Sequence, residues 1–339
     1  MKDEKYVNSG IATLDAANLT YEFEKGRAER PEFAFPDISA QERVKDAQRR
    51  KVIPDNLEYL DDFRDALTGT SGTAFLDKNS GEVIIAYTGT NPSTDFPTDF
   101  KTDIISIGLA RGYHYDEAFK FYERIRQRYG DNITLTGHSL GGNVAQRVAL
   151  EYNAPRTVVY NSAPLYLESL IGPKERISDY LTPWDSAREK IINKQKTFTG
   201  QVVRIRTQDD FLNNTSMPLL GVYLGEDYLL KNSGGHSLDP DITDDKNQIN
   251  QIKDILENQS PEKMTGLEKK NYETLKKLQG VKNGLLKQLN TQFLSDGSIS
   301  SHEMFFLDSV QATAVATAMT ESVSNGHSEI EAVAKKAVA

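Results

Sequence analysis

The chain has 339 residues, of which 38% are hydrophobic and 26% charged, with a net charge of −9 and no cysteine. That composition belongs to a folded chain with room for a large core and more than one domain. The acidic balance, without a strong basic cluster, excludes nucleic acid and electrostatic docking on anionic membranes. The missing cysteines exclude disulfides, thiolate metal sites and thiol nucleophiles. The opening MKDEKYVNSGIATLDAANL has no apolar stretch of the signal-peptide kind, and no run is long enough to be a transmembrane segment. The expected location is therefore secreted without a cleaved signal peptide, or cytoplasmic.

In chain order, GTAFLDKNSGEVIIAYTGT predicts a hairpin: an apolar run, a Lys-Asn-Ser-Gly turn, then Val83 to Tyr87. Tyr115 to Tyr129 predicts a helix, with Phe119, Tyr122 and Ile125 at helical spacing and Gly130 as the stop. Ile133 to Thr136 reads as a strand and Leu140 to Tyr152 as a helix. Thr157 to Tyr160 and Val202 to Ile205 read as further strands. Strands separated by helices predict an α/β fold with a mostly parallel sheet. The texture changes near Asp239, and the chain beyond it is rich in Lys, Asn, Gln and Glu. Ile249, Ile252 and Leu256 share one helical face, Leu275, Leu278, Leu285 and Leu289 another, and Phe306, Val310, Ala314 and Ala318 a third. The expected organisation is an α/β domain over residues 1–244 and an all-helical C-terminal domain over 245–339.

The stretch NITLTGHSLGGNVAQRVAL carries the chemistry. Gly137-His138-Ser139-Leu140-Gly141 fits G-x-S-x-G, with a strand before it and a helix after. In such a nucleophile elbow the serine sits on a strained turn that leaves no room for side chains two residues away on either side, and glycine meets that need. The turn lifts the serine hydroxyl clear of the sheet. It also leaves the Leu140 N–H at a helix N-terminus, where developing negative charge is stabilised. A serine nucleophile needs a base. His114 and His138 precede the serine, and His302 and His327 lie in the helical tail. That leaves His236, in the loop NSGGHSLDPD. For the orienting acid, VVRIRTQDDFLNN offers Asp209 and Asp210 just past a strand, and the residues alone do not separate them; a turn or cap role is expected for the other.

With these residues in hand, the chain resembles the class 3 lipases of the α/β-hydrolase superfamily. Thr136 to Gly142 is similar to that family's elbow. Ala16 to Tyr21 resembles its N-terminal helix and Val83 to Thr90 its strand and oxyanion loop, with Thr88 where Arg is usual. Asp99 to Asp103, Tyr113-His114 and Asn161 to Pro164 resemble segments that follow in the same order. Asn91 to Thr98 is short and polar where the family carries an apolar lid, so an apolar cover is expected from 104–110 or 165–171. The resemblance implies hydrolysis of acyl esters of lipids, by a lipase or phospholipase of the A type. Ser139 would be the nucleophile, His236 the base and Asp209, rather than Asp210, the acid, with the N–H groups of Thr90 and Leu140 as the oxyanion hole. It implies no metal and no organic cofactor. Two other functions fit the residues: an esterase or thioesterase for small soluble acyl compounds, and a secreted interaction module using the hydrolase fold as a scaffold.

Two stretches look like calcium loops. The one from Asp239 lacks glycine at the sixth position and glutamate at the twelfth. The one ending at Glu303 has Gln292 and Leu294 where acidic ligands belong. Both read better as helix caps, Ser300 with Glu303 as a capping box. The tail shows no chemistry of its own. Its stripes must bury against something, their own hairpin, the α/β domain, or a partner such as a small helical protein or an export chaperone, and the layout resembles lipases exported by the Gram-positive type VII system.

Overall fold

The computed structural model describes residues 9–29, 53–65, 68–89, 115–167, 187–216, 221–231, 233–238, 242 and 246–258. Seven strands form one sheet: β1 (Leu57–Arg64), β2 (Ser71–Asp77), β3 (Glu82–Tyr87), β4 (Ile133–His138), β5 (Arg156–Tyr160), β7 (Gln201–Thr207) and β9 (Glu226–Leu230). They lie in that order, with β1, β2 and β3 antiparallel and every later neighbour parallel. A short pair, β6 (Tyr166–Leu167) and β8 (Gly221–Val222), stands apart.

Strands β3, β4, β5 and β7 are buried along nearly their whole length, as expected where both faces are covered. On one face Val83, Ile85, Ile133, Leu135 and Val159 meet helix α2 (Asp116–Tyr129), through Phe121 and Ile125, and helix α3 (Leu140–Tyr152), through Val144 and Val148. On the other, Ile84 and Ala86 meet helix α1 (Ala12–Glu29) through Ala16, Leu19 and Phe23. Along β5 and β7 that second face continues as Val158, Tyr160, Val203 and Ile205. The mostly parallel sheet between helices is the architecture expected from the sequence.

Helix α6 (Lys246–Asn258), which follows the expected division at residue 244, packs on the sheet. Its Ile249, Ile252 and Ile255 are buried in the same cluster as Ile11, Leu14, Tyr228 and Leu230. The stripe that the sequence placed in a separate tail therefore covers the outer strands of the sheet. The expected helical domain beyond it, with its Leu275–Leu289 and Phe306–Ala318 stripes, lies outside the described residues.

Two remaining helices, α4 (Ala187–Gln195) and α5 (Phe211–Ser216), flank β7. Strand β9 is tied to β7 by charge. Asp227 accepts from Arg204 Nη2 and from Arg206 Nε, each at 2.7 Å, with all three side chains largely buried. This fixes the chain just ahead of the loop that carries His236.

Candidate active site

Ser139 lies between β4 and α3 with φ 57° and ψ −125°, a conformation that costs a non-glycine residue energy and survives only where its surroundings enforce it. The neighbours enforce it. A side chain at Gly137 would meet Gly141 O at 2.4 Å, and one at Gly141 would meet Tyr87 O at 2.1 Å. The Ser139 N–H donates to Tyr160 O at 3.2 Å, and its carbonyl accepts from the N–H groups of Gly142 at 3.1 Å and Ala163 at 2.9 Å. Leu140 opens α3, so its N–H belongs to the first turn, whose amides have no partner within the helix. Thr90, the other expected oxyanion donor, lies outside the described residues, as does most of the segment expected to supply a cover.

His236 reaches Ser139 across the sheet end, with its Nε2 2.9 Å from Ser139 Oγ. Its Nδ1 is 2.6 Å from Asp210 Oδ1. A carboxylate can only accept, so Nδ1 carries the proton and Nε2 is free to accept from the serine hydroxyl. The Asp210 side chain is fully buried. Asp209, the acid expected from the sequence, is exposed, and its backbone N–H donates to Gly234 O at 3.1 Å. The register is off by one. The turn after β7 takes Gln208 and Asp209, and Asp210 turns inward at the start of α5. There its carboxylate also accepts from the backbone N–H groups of Leu212 at 3.2 Å and Asn213 at 3.1 Å, and from the Asn213 side chain. One carboxylate therefore caps α5 and holds the histidine.

The loops carrying Asp210 and His236 are stitched together at their roots. Asn161 Oδ1 accepts from the Thr207 N–H at 2.8 Å, while Asn161 Nδ2 donates to His236 O at 2.9 Å. Thr207 Oγ1 donates to Gly235 O at 2.5 Å, and the Gln208 N–H donates to Ser233 Oγ at 2.6 Å. The sequence offered Asn161 only as part of a strand-end motif, and its role as a bracket between β7 and the base loop was not legible there. Among the described residues, no group of three or more His, Cys, Asp or Glu side chains could hold a metal ion.

Residues 23–178 match the Tle-like phospholipase domain, a phospholipase-like family. The match spans the elbow and stops short of Asp210 and His236. Among solved structures, the chain is similar to lipase II from Rhizopus niveus, at 11% identity over 66% of this chain and 83% of that one, TM-score 0.37. It is also similar to a triacylglycerol lipase from Penicillium expansum, at 15% identity over 66% and 80%, TM-score 0.37. No curated protein matches the chain in sequence.

Proposed function

We propose that this chain is a carboxylic ester hydrolase of the lipase type that cleaves the acyl esters of phospholipids through Ser139, His236 and Asp210. The observation that carries the proposal is His236, bridging a strained serine and a buried carboxylate with one ring nitrogen each. Ser139 Oγ attacks the acyl carbon while its proton passes to His236 Nε2. The carbonyl oxygen becomes an oxyanion facing the Leu140 N–H at the start of α3, and we assign the second donor to the Thr90 N–H. The bond to the alcohol then breaks, His236 returns the proton to the leaving oxygen, and an acyl-enzyme remains. Water attacks the acyl carbon in the second half. His236 takes its proton, the fatty acid leaves, and Ser139 regains its hydroxyl. Asp210 stays ionised and stabilises the imidazolium formed in each half.

The test is hydrolysis of phosphatidylcholine vesicles, with the products identified by mass. The expected products are a fatty acid and a lysophospholipid, and Ser139→Ala lowers kcat by a factor on the order of 10⁴ or more. Release of the phosphorylated head group, or full activity in Ser139→Ala, would overturn the reading.

A further inference from the structure

His138 precedes the nucleophile and takes no part in the proton transfers above. It is 8% exposed, and its ring stands 4.7 Å from that of His236, centroid to centroid. Its Nε2 is 2.7 Å from His236 O, and its Nδ1 is 3.1 Å from Tyr21 Oη. Tyr21 Oη in turn is 3.1 Å from the Gly89 nitrogen.

With the His138 ring neutral, these three bonds run in one direction. A carbonyl accepts, so His138 Nε2 carries the proton and donates to His236 O. The neutral ring then has its lone pair on Nδ1, which accepts from the Tyr21 hydroxyl. Tyr21 Oη has spent its proton there and accepts from the Gly89 N–H. An imidazolium would instead donate from Nδ1 to Tyr21 Oη, so this direction of the bonds belongs to the neutral ring. Burial, and then the neighbouring His236, hold the His138 pKa down to about 3. A neutral ring there also spares the imidazolium on His236 a second cation at its side.

The two ends of this chain lie on opposite sides of the nucleophile. Gly89 follows β3 and packs directly on Ser139: a side chain at Gly89 would stand 3.1 Å from Ser139 Cβ and 2.8 Å from Tyr21 Oη. His236 O is the backbone of the base itself. We propose that Tyr21 and His138 are positioning residues that couple the Gly89 backbone, ahead of the oxyanion side of the site, to the backbone of His236, so that both sides close on Ser139 together. This rests on the triad reading above.

The experiment measures kcat and KM on soluble 4-nitrophenyl butyrate and the rate of Ser139 labelling by a fluorophosphonate. Tyr21→Phe keeps the ring and removes the hydroxyl; it is expected to lower kcat and labelling roughly 10- to 100-fold with KM nearly unchanged. His138→Leu is expected to lose as much, and Tyr21→Phe with His138→Leu no more than either alone, because both break one chain of bonds. His138→Gln restores an acceptor and a donor and is expected to recover to within about tenfold of wild type. Nitrogen NMR of the histidines at pH 7 should show His138 in the Nε2–H tautomer. A Tyr21→Phe that keeps its kcat, losses that multiply in the double variant, a Gln variant no better than Leu, or an Nδ1–H tautomer at His138 would each overturn the proposal. If His138→Leu does not fold, Tyr21→Phe and the tautomer still decide it. Wild-type enzyme unlabelled at Ser139 overturns the triad and this proposal with it. Labelled wild type with an unslowed Tyr21→Phe overturns this proposal alone.

Discussion

Ser139 sits on a turn whose demands fall on the glycines beside it in sequence, whereas Asp210 and His236 sit on loops whose hold comes from side chains on distant strands. At the elbow, Tyr87 on β3 and Tyr160 and Ala163 at the end of β5 crowd and hold the turn through backbone atoms, and what they require of the sequence is glycine at 137 and 141. At the other side, the base loop is held by Asn161 from the end of β5, by Thr207 from β7 and by the charge pairing of β9 with β7. A local turn can be read from a five-residue pattern. A loop held by hydrogen bonds across three strands cannot, because its conformation depends on which strand ends become neighbours.

The sharpest way to break this comparison is at the acid. Asp210→Asn is expected to lower kcat by about 10⁴, since an amide favours the wrong histidine tautomer. Asp209→Asn is expected to leave kcat within about twofold, because an exposed side chain away from the site carries no such role. Steady-state rates of the two variants on one soluble ester check both.

On the elbow side the expected damage is to the fold. Gly141→Ala puts a methyl group 2.1 Å from Tyr87 O, which is backbone and cannot give way cheaply. The cost is about 3 kcal/mol, with the thermal midpoint lowered by roughly 5 °C or more. On the loop side, Asn161→Ala leaves the elbow intact and loosens the base. It is expected to lower kcat about tenfold, as a small misplacement does, and to lower the melting temperature as well, because the buried Thr207 N–H loses its acceptor. A melting curve and a kcat for each variant measure both kinds of damage.

The smallest expected effect is on pH dependence. His138 titrates at about 3 in the folded chain, against an ordinary 6.5. The unfolded chain therefore binds more protons between those values, and the contribution of His138 is complete above pH 6.5 and lost as pH falls toward 3. Glu24 works the other way: burial raises its pKa from 4.5 to about 7, so between those values the folded chain holds the extra proton. Comparing wild type with His138→Gln removes the Glu24 effect. The stability difference is expected to shift against wild type by about 1.4 kcal/mol per pH unit below 6.5. Urea midpoints at pH 7, 6 and 5 measure it.

Much of the fold was legible because β3 and β5 carry short apolar runs and α2 and α3 keep helical spacing. Strand β9, Glu-Asp-Tyr-Leu-Leu, was missed because it opens on two acidic residues, one of which, Asp227, is neutralised only by Arg204 and Arg206 on a different strand. Helix α6 was visible as a helix, but its apolar stripe did not say what it would cover. A chain ending at residue 244 would lose Ile249, Ile252 and Ile255 from the core; it is expected to aggregate where one ending at 258 folds. At the acid, the two neighbouring aspartates were expected to divide capping and histidine holding between them. Asp210 does both with one carboxylate, a sharing that depends on how α5 meets the His236 loop.

The most direct measurement is fluorophosphonate labelling of the full chain, followed by peptide mapping, in wild type, Asp209→Asn and Asp210→Asn. The account expects label on Ser139 alone, at an unchanged rate in Asp209→Asn and a rate lowered by orders of magnitude in Asp210→Asn. Label on another serine, or an Asp210→Asn protein labelled as fast as wild type, would contradict it.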